Sequence, residues 1–151
     1  MGDMTGWRQA IQRRSRAAAE QAVGPLARWG VSPNQLTVAG LLLNAAAGAI
    51  LALGWLVPGG VAVLVASAFD LFDGALARVA GRETRFGAFF DSTLDRYSEA
   101  LLFCGLLIWF TRTGDWLGAV LCYLSLLGSL MVSYARARAE GLGLELSLIH
   151  I

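Results

Sequence analysis

Four aspartates sit where aspartate is costly. Asp70 and Asp73 fall inside one long apolar stretch of this 151-residue chain, and Asp91 and Asp95 fall inside the next. A charged side chain in a membrane span costs ~2.5–3.5 kcal/mol on insertion scales. Residues three or four apart share a helix face, so each pair presents two carboxylates side by side. Carboxylates brought together repel, and protons or cations must neutralise them. Oxygen-only ligands suit hard divalent ions such as Mg²⁺, Mn²⁺ or Ca²⁺. Two divalent ions would balance the four charges, and an ion pair can clamp a phosphoryl group undergoing displacement. An acidic set of this kind also suits cation transport, and residue type alone leaves both uses open.

Helices must hold these pairs. Hydrophobic residues make up 56% of the chain, and its long apolar stretches point to the membrane class. Four segments reach the ~20 residues that cross a bilayer: about 36–57, 60–80, 87–110 and 116–135. The predicted fold is all-α, a polytopic membrane helix bundle. Connections at 58–60, 81–86 and 111–115 are short, which makes successive helices antiparallel neighbours. Ser32 and Gln35 bracket a capping box, with Pro33 suited to a first helical turn.

All 12 basic residues are arginines. Arg8, Arg13, Arg14, Arg16 and Arg28 precede the first span. Arg78, Arg82 and Arg85 surround the second connection, Arg96 follows Asp91 by about a turn, and Arg136 and Arg138 follow the fourth span. Only Arg112 falls on the other side, so the positive-inside rule sets the N-terminus and the acidic cluster toward the cytoplasm. Residues 1–31 read as an interfacial amphipathic segment ahead of a transmembrane domain at 32–145, and the N-terminus lacks the features of a secretory signal peptide. Cys104 and Cys122 lie in apolar stretches and read as packing residues rather than a disulfide. Gly40, Gly48, Gly105, Gly118 and Gly128 are expected at close helix contacts. Trp55, Trp109 and Trp116 fit an aromatic belt, and Trp7 and Trp29 an interfacial helix. Glu99 either pairs with Arg96 or lines the cavity.

The residues between the aspartates narrow the chemistry. The pattern D-x2-D-G-x2-A-R-x8-G-x3-D-x3-D runs from Asp70 through Asp73, Gly74, Ala77, Arg78, Gly87 and Asp91 to Asp95. It resembles the signature of the CDP-alcohol phosphotransferase family at every fixed position. The segment Ser32-Pro33-Asn34-Gln35-Leu36-Thr37 is similar to the family's entry into its first transmembrane helix. The resemblance implies that Asp70, Asp73 and Asp91 bind metal, Mg²⁺ or Mn²⁺, as two ions. Asp95 would be the general base for the acceptor hydroxyl and would also touch the second ion. CDP would be held by Asn34, Thr37, Asp70, Gly74, Ala77 and Arg78, while Gly87 would let the second and third helices pack closely. The implied reaction moves a lipid phosphate from CDP-diacylglycerol, or an archaeal-type CDP-lipid, to a polar alcohol, with release of CMP. The resemblance further implies an integral protein of a prokaryotic cell membrane, a homodimer, and no nucleic-acid partner.

The stretch Asp91-Ser-Thr-Leu-Asp95-Arg96 resembles the branch whose acceptor is inositol phosphate. The glycerol-phosphate branch more often shows proline after the third aspartate and lysine after the fourth. Residues 133–140 also resemble the inositol-phosphate synthases, which implies acceptor binding by Ser133 and Arg136, with Arg138 a further candidate. The plainer reading makes Arg136 and Arg138 topology anchors. The family usually has six transmembrane helices, and this chain supplies four. Residues 146–151 do not resemble the family's continuation and read as a truncated or non-native tail, so His150 is incidental. Two alternatives compete. An aspartate-rich intramembrane prenyltransferase would space its acids differently. A divalent-cation transporter would hold carboxylates near the midplane, whereas Gly74 to Arg78 set this cluster toward one face.

Overall fold

The computed structural model describes residues 32–79 and 84–143, apart from the side chains of residues 70, 71, 73, 74 and 77–79. The expected interfacial segment at 1–31 and the tail at 146–151 lie outside the described residues. The described chain is all helix: α1 (Pro33–Ala52), α2 (Leu56–Val79), α3 (Arg85–Thr113) and α4 (Trp116–Gly141).

Local chemistry explains where each helix begins and stops. The Ser32 hydroxyl accepts from the Gln35 amide at 3.3 Å, and the Gln35 side chain accepts from the Ser32 amide at 2.9 Å. This reciprocal pair, with Pro33 in the first turn, starts α1 as the sequence predicts. After α1, Gly54 takes a positive φ of 86°, where a side chain would be strained. Thr84 caps α3 by accepting from the Gly87 amide at 2.9 Å. Gly114, also left-handed at φ 77°, closes that helix, and Asp115 caps α4 through the Gly118 amide at 2.8 Å.

Among the described residues, α1 and α4 are long and apolar enough by themselves to cross a membrane. The second and third expected spans return as the helices α2 and α3.

Close packing pairs α1 with α2, α1 with α3, and α3 with α4. Leu36 of α1 is buried with Ala75 and Leu76 of α2, flanked by Phe69 and Phe72. At the other end of the pair, Leu51 fills the space beside Gly59. These contacts make α1 and α2 antiparallel. In contrast, α1 and α3 run parallel. Asn34 sits near Gly87, Gly48 meets Leu101 and Gly105, and the Ala52 carbonyl accepts from Arg112 at 3.4 Å. A Cβ on Gly105 would lie 2.8 Å from the Gly48 carbonyl carbon and 2.9 Å from its Cα. The two backbones therefore touch, as small residues permit in membrane bundles. Between α3 and α4 the register is antiparallel: Gly118 by Phe110, the Cys122 thiol donating to the Phe103 carbonyl at 3.3 Å, and Ser129 on Glu99. Both cysteines are free, as expected.

One expectation about glycine needs correction. Among the described residues nothing lies within 4 Å of a Cβ added to Gly128, so it makes no close contact there; its position on α4 is rotated away from the face that carries Cys122 and Ser129 toward α3. Gly87 faces the start of α1, with Asn34 Oδ1 at 3.8 Å from its added Cβ, and the side chains at the end of α2 lie outside the described residues. Polar side chains within the helices satisfy themselves locally. Asn44 donates to the Gly40 carbonyl at 3.1 Å and Thr93 to the Phe89 carbonyl at 2.8 Å. No buried polar side-chain atom among the described residues lacks a partner, as a low-dielectric setting requires.

Candidate active site

The helix directions gather the important termini. The N-terminal ends of α1 and α3 and the C-terminal ends of α2 and α4 lie at one end of the bundle. This end receives every site residue predicted from the sequence. Asn34 and Thr37 belong to the first turns of α1, and Asp70, Asp73, Gly74, Ala77 and Arg78 to the last turns of α2. Asp91 and Asp95 lie in the second and third turns of α3, and Ser133, Arg136 and Arg138 in the last turns of α4.

Register sharpens the placement. Leu36 is level with Ala75 and Leu76 on one side, and Asn34 is level with Gly87 on the other. Counting along α2 and α3 from those contacts brings Asp73 level with Asp91, and Asp70 level with Asp95, to within a turn. Asp91 and Asp95 are both partly buried. Among the described residues no group of three metal-ligating side chains assembles, because the side chains of Asp70 and Asp73 lie outside them. The donor chemistry nevertheless fits a hard divalent ion, since the four aspartate positions fall on adjacent turns at one end of the bundle.

Thr37 is 7% exposed, and its hydroxyl donates to the Pro33 carbonyl at 3.1 Å. Its donor is thus committed to its own helix, which leaves its oxygen only acceptor capacity for any further partner. Asn34, one turn earlier, is exposed.

Beside the acidic level, α3 and α4 part to form a cavity of about 620 Å³. Its polar walls include Ser92, Thr93 and Arg96 from α3, and Ser133, Arg136 and Glu140 from α4. Two of the three predicted acceptor residues, Ser133 and Arg136, therefore line one cavity. Arg138 is not among its lining residues, because its position on α4 is rotated away from the face shared by Ser133 and Arg136. Arg136 Nε pairs with Glu140 at 3.0 Å, with both side chains more than half exposed.

Sequence reading missed the role of Arg96. Its guanidinium forms part of the cavity wall and pairs with Glu99 at 2.6 Å. The other Glu99 oxygen accepts from Ser129 of α4 at 2.5 Å. Of the two options for Glu99, the structure shows the pairing with Arg96; Glu99 itself is not among the residues lining this cavity. The signal was present in the spacing. Phe89, Ser92, Thr93 and Arg96 recur at helical intervals on one face of α3, as do Ser129, Ser133, Arg136 and Glu140 on α4.

Comparison with known proteins agrees with this geometry. The sequence profile of the CDP-alcohol phosphatidyltransferase family matches residues 30–147. An archaetidylinositol phosphate synthase of Pyrococcus horikoshii is 37% identical over 130 residues, covering 86% of this chain and 66% of that protein. A crystal structure of Mycobacterium tuberculosis phosphatidylinositol phosphate synthase with CDP-DAG bound is similar at a TM-score of 0.78 and 35% identity. That match covers 83% of this chain and 64% of the other. The same enzyme in complex with manganese and citrate matches at a TM-score of 0.75 and 34% identity, over 83% of this chain and 61% of the other. This chain thus spans about two thirds of the length of these relatives. With its aspartate signature, helix order and bundle shape all in agreement, the chain belongs to the CDP-alcohol phosphatidyltransferase family.

Proposed function

We propose that this protein transfers a phosphatidyl group, or its archaeal-type counterpart, from a CDP-lipid to inositol phosphate in a prokaryotic cell membrane. The observation that carries the reading is the coincidence at one end of the bundle. Four aspartate positions on adjacent turns adjoin a cavity walled by Arg96, Ser133 and Arg136. An acidic level suits the metal-dependent half of the reaction. A cavity with guanidinium forks and a hydroxyl suits an acceptor that brings its own phosphate and several hydroxyls. The relatives, an archaetidylinositol phosphate synthase and a phosphatidylinositol phosphate synthase, point to the same acceptor class.

In this reading Asp70, Asp73 and Asp91, together with Asp95, would hold two divalent ions, Mg²⁺ or Mn²⁺, which when bound would supply positive charge against the phosphates and the departing CMP. The chain's own residues do the rest. Asp95 removes the proton from the acceptor hydroxyl, for which it must be ionised and within hydrogen-bond reach. The freed oxygen attacks the lipid-linked phosphorus as the bond to the CMP oxygen breaks. Arg78 holds the donor's phosphates, and Gly74 and Ala77 leave room for the nucleotide on the same face of α2. Asn34 and Thr37 add contacts from α1, with Thr37 accepting rather than donating. Ser133 and Arg136 bind the acceptor's phosphate. The lipid tails stay in the bilayer while the arginine-rich end faces the cytoplasm. The functional unit is a homodimer.

The test is CMP release. The full protein is incubated with CDP-diacylglycerol, Mg²⁺ and one acceptor at a time: inositol phosphate, glycerol phosphate, inositol or serine. Release with inositol phosphate alone supports the reading. Release with glycerol phosphate instead moves the protein to the other branch. No release with any acceptor, together with Mg²⁺ flux in liposomes, replaces the enzyme with a transporter.

A further inference from the structure

The closed end of the cavity is built differently from its mouth. Along the α3–α4 seam the contacts run from Gly118 and Phe110 to Cys122 and Phe103, then to Ser129 and Glu99. One turn further on, Arg96 and Ser133 already line the open cavity. The Ser129–Glu99 hydrogen bond is thus the link at which the seam ends and the cavity begins. Glu99 uses both carboxylate oxygens there, one on Ser129 of the facing helix at 2.5 Å and one on Arg96 at 2.6 Å. The mouth pair Arg136–Glu140 differs in being mostly exposed and confined to one helix, where ion pairs hold geometry weakly.

A long arginine side chain has many rotamers, and ordering it for a ligand costs affinity. A carboxylate anchored on a second helix removes that freedom in advance. We propose that Ser129 and Glu99 are positioning residues that fix the Arg96 guanidinium on the cavity wall to receive the acceptor's phosphate. The inference rests on the reading of this cavity as the acceptor site. Arg96 becomes the binding group, Glu99 the bracket, and Ser129 the anchor of the bracket on α4.

The test uses Ser129→Ala because it leaves every charge in place. Glu99→Gln would also remove a negative charge, which by itself draws a phosphate closer and obscures the positioning effect. The probe is inositol phosphate, titrated calorimetrically into the full protein without metal. KM for inositol phosphate and for CDP-diacylglycerol is measured in parallel. Freeing one rotamer-rich side chain corresponds to roughly a three- to tenfold loss of affinity. We expect Ser129→Ala to weaken inositol phosphate binding and raise its KM by that factor, with KM for CDP-diacylglycerol changed less than about twofold. Ser129→Thr, which keeps the hydroxyl, should restore wild-type binding. In an Arg96→Ala background, Ser129→Ala should have no further effect, because the anchor acts only through the arginine. Wild-type affinity in Ser129→Ala, or an equal loss in both backgrounds, overturns the inference and leaves the acceptor site standing. A wild-type protein that neither binds inositol phosphate nor releases CMP with any acceptor overturns both.

Discussion

The contact between Gly48 and Gly105 sets the spacing of the helices that carry the site, and one methyl group tests it. Gly105→Ala places a Cβ 2.8 Å from the Gly48 carbonyl carbon and closer still to its oxygen. Ordinary contact needs about 3.5 Å or more. The neighbour is main chain, which cannot rotate aside, so α1 and α3 must separate by roughly 1 Å. Overpacking of this kind costs ~1–3 kcal/mol, against a helix-propensity gain of ~1 kcal/mol from replacing glycine. The net loss is about 1–2 kcal/mol at the upper part of that range, a fall in Tm on the order of 5 °C. Function should suffer more. Displacing Asn34 and Thr37 from Asp91 and Asp95 by roughly 1 Å can cost ~100-fold in rate. The assay pairs thermal unfolding in detergent with kcat/KM from CMP release. Gly128→Ala is the control: nothing lies within 4 Å of its Cβ, so only the propensity gain remains and stability should hold or rise. A Gly105→Ala protein as stable and active as Gly128→Ala would refute the argument that these backbones touch.

Other predictions follow from the same geometry. Asp95→Asn should lower kcat at least ~100-fold, the scale of general-base loss, while Mn²⁺ affinity measured by titration stays closer to wild type than in Asp73→Asn. Arg136→Ala should raise the acceptor KM at least ~10-fold, as loss of a charge-assisted contact does, while Arg138→Ala, outside the cavity lining, should leave it within about twofold; equal effects would contradict the placement. Gly54→Ala forces a side chain into positive φ beside Trp109, 3.1 Å from the new Cβ, and should destabilise by ~1–2 kcal/mol in thermal unfolding.

What the sequence revealed depended on how far apart the interacting residues stand. The capping box at Ser32 and Gln35 spans three positions, and its reciprocal hydrogen bonds were predicted correctly. The aspartate pairs are equally local, and the helices form around them as expected. The break expected at 58–60 instead falls inside α2, and the chain turns earlier, at Gly54, whose positive φ ends α1. The packing on α1 was less visible. Short connections suggest that successive helices pair, but they say nothing of the parallel contact between α1 and α3, which Gly48 and Gly105 make 57 positions apart. Glu99 shows the same limit. Its bond to Arg96 was one of two local options, but its bond to Ser129 required knowledge of the α3–α4 register.

The central claim is that acids from two different helices act on the same bound ions. Mn²⁺ titration followed by electron paramagnetic resonance addresses it directly, with Asp73→Asn on α2 compared with Asp91→Asn on α3. The account predicts that each substitution alone weakens Mn²⁺ binding at least tenfold, because both helices contribute ligands to one site. Wild-type Mn²⁺ affinity in either variant would show that the two helices do not share a site, and would contradict it.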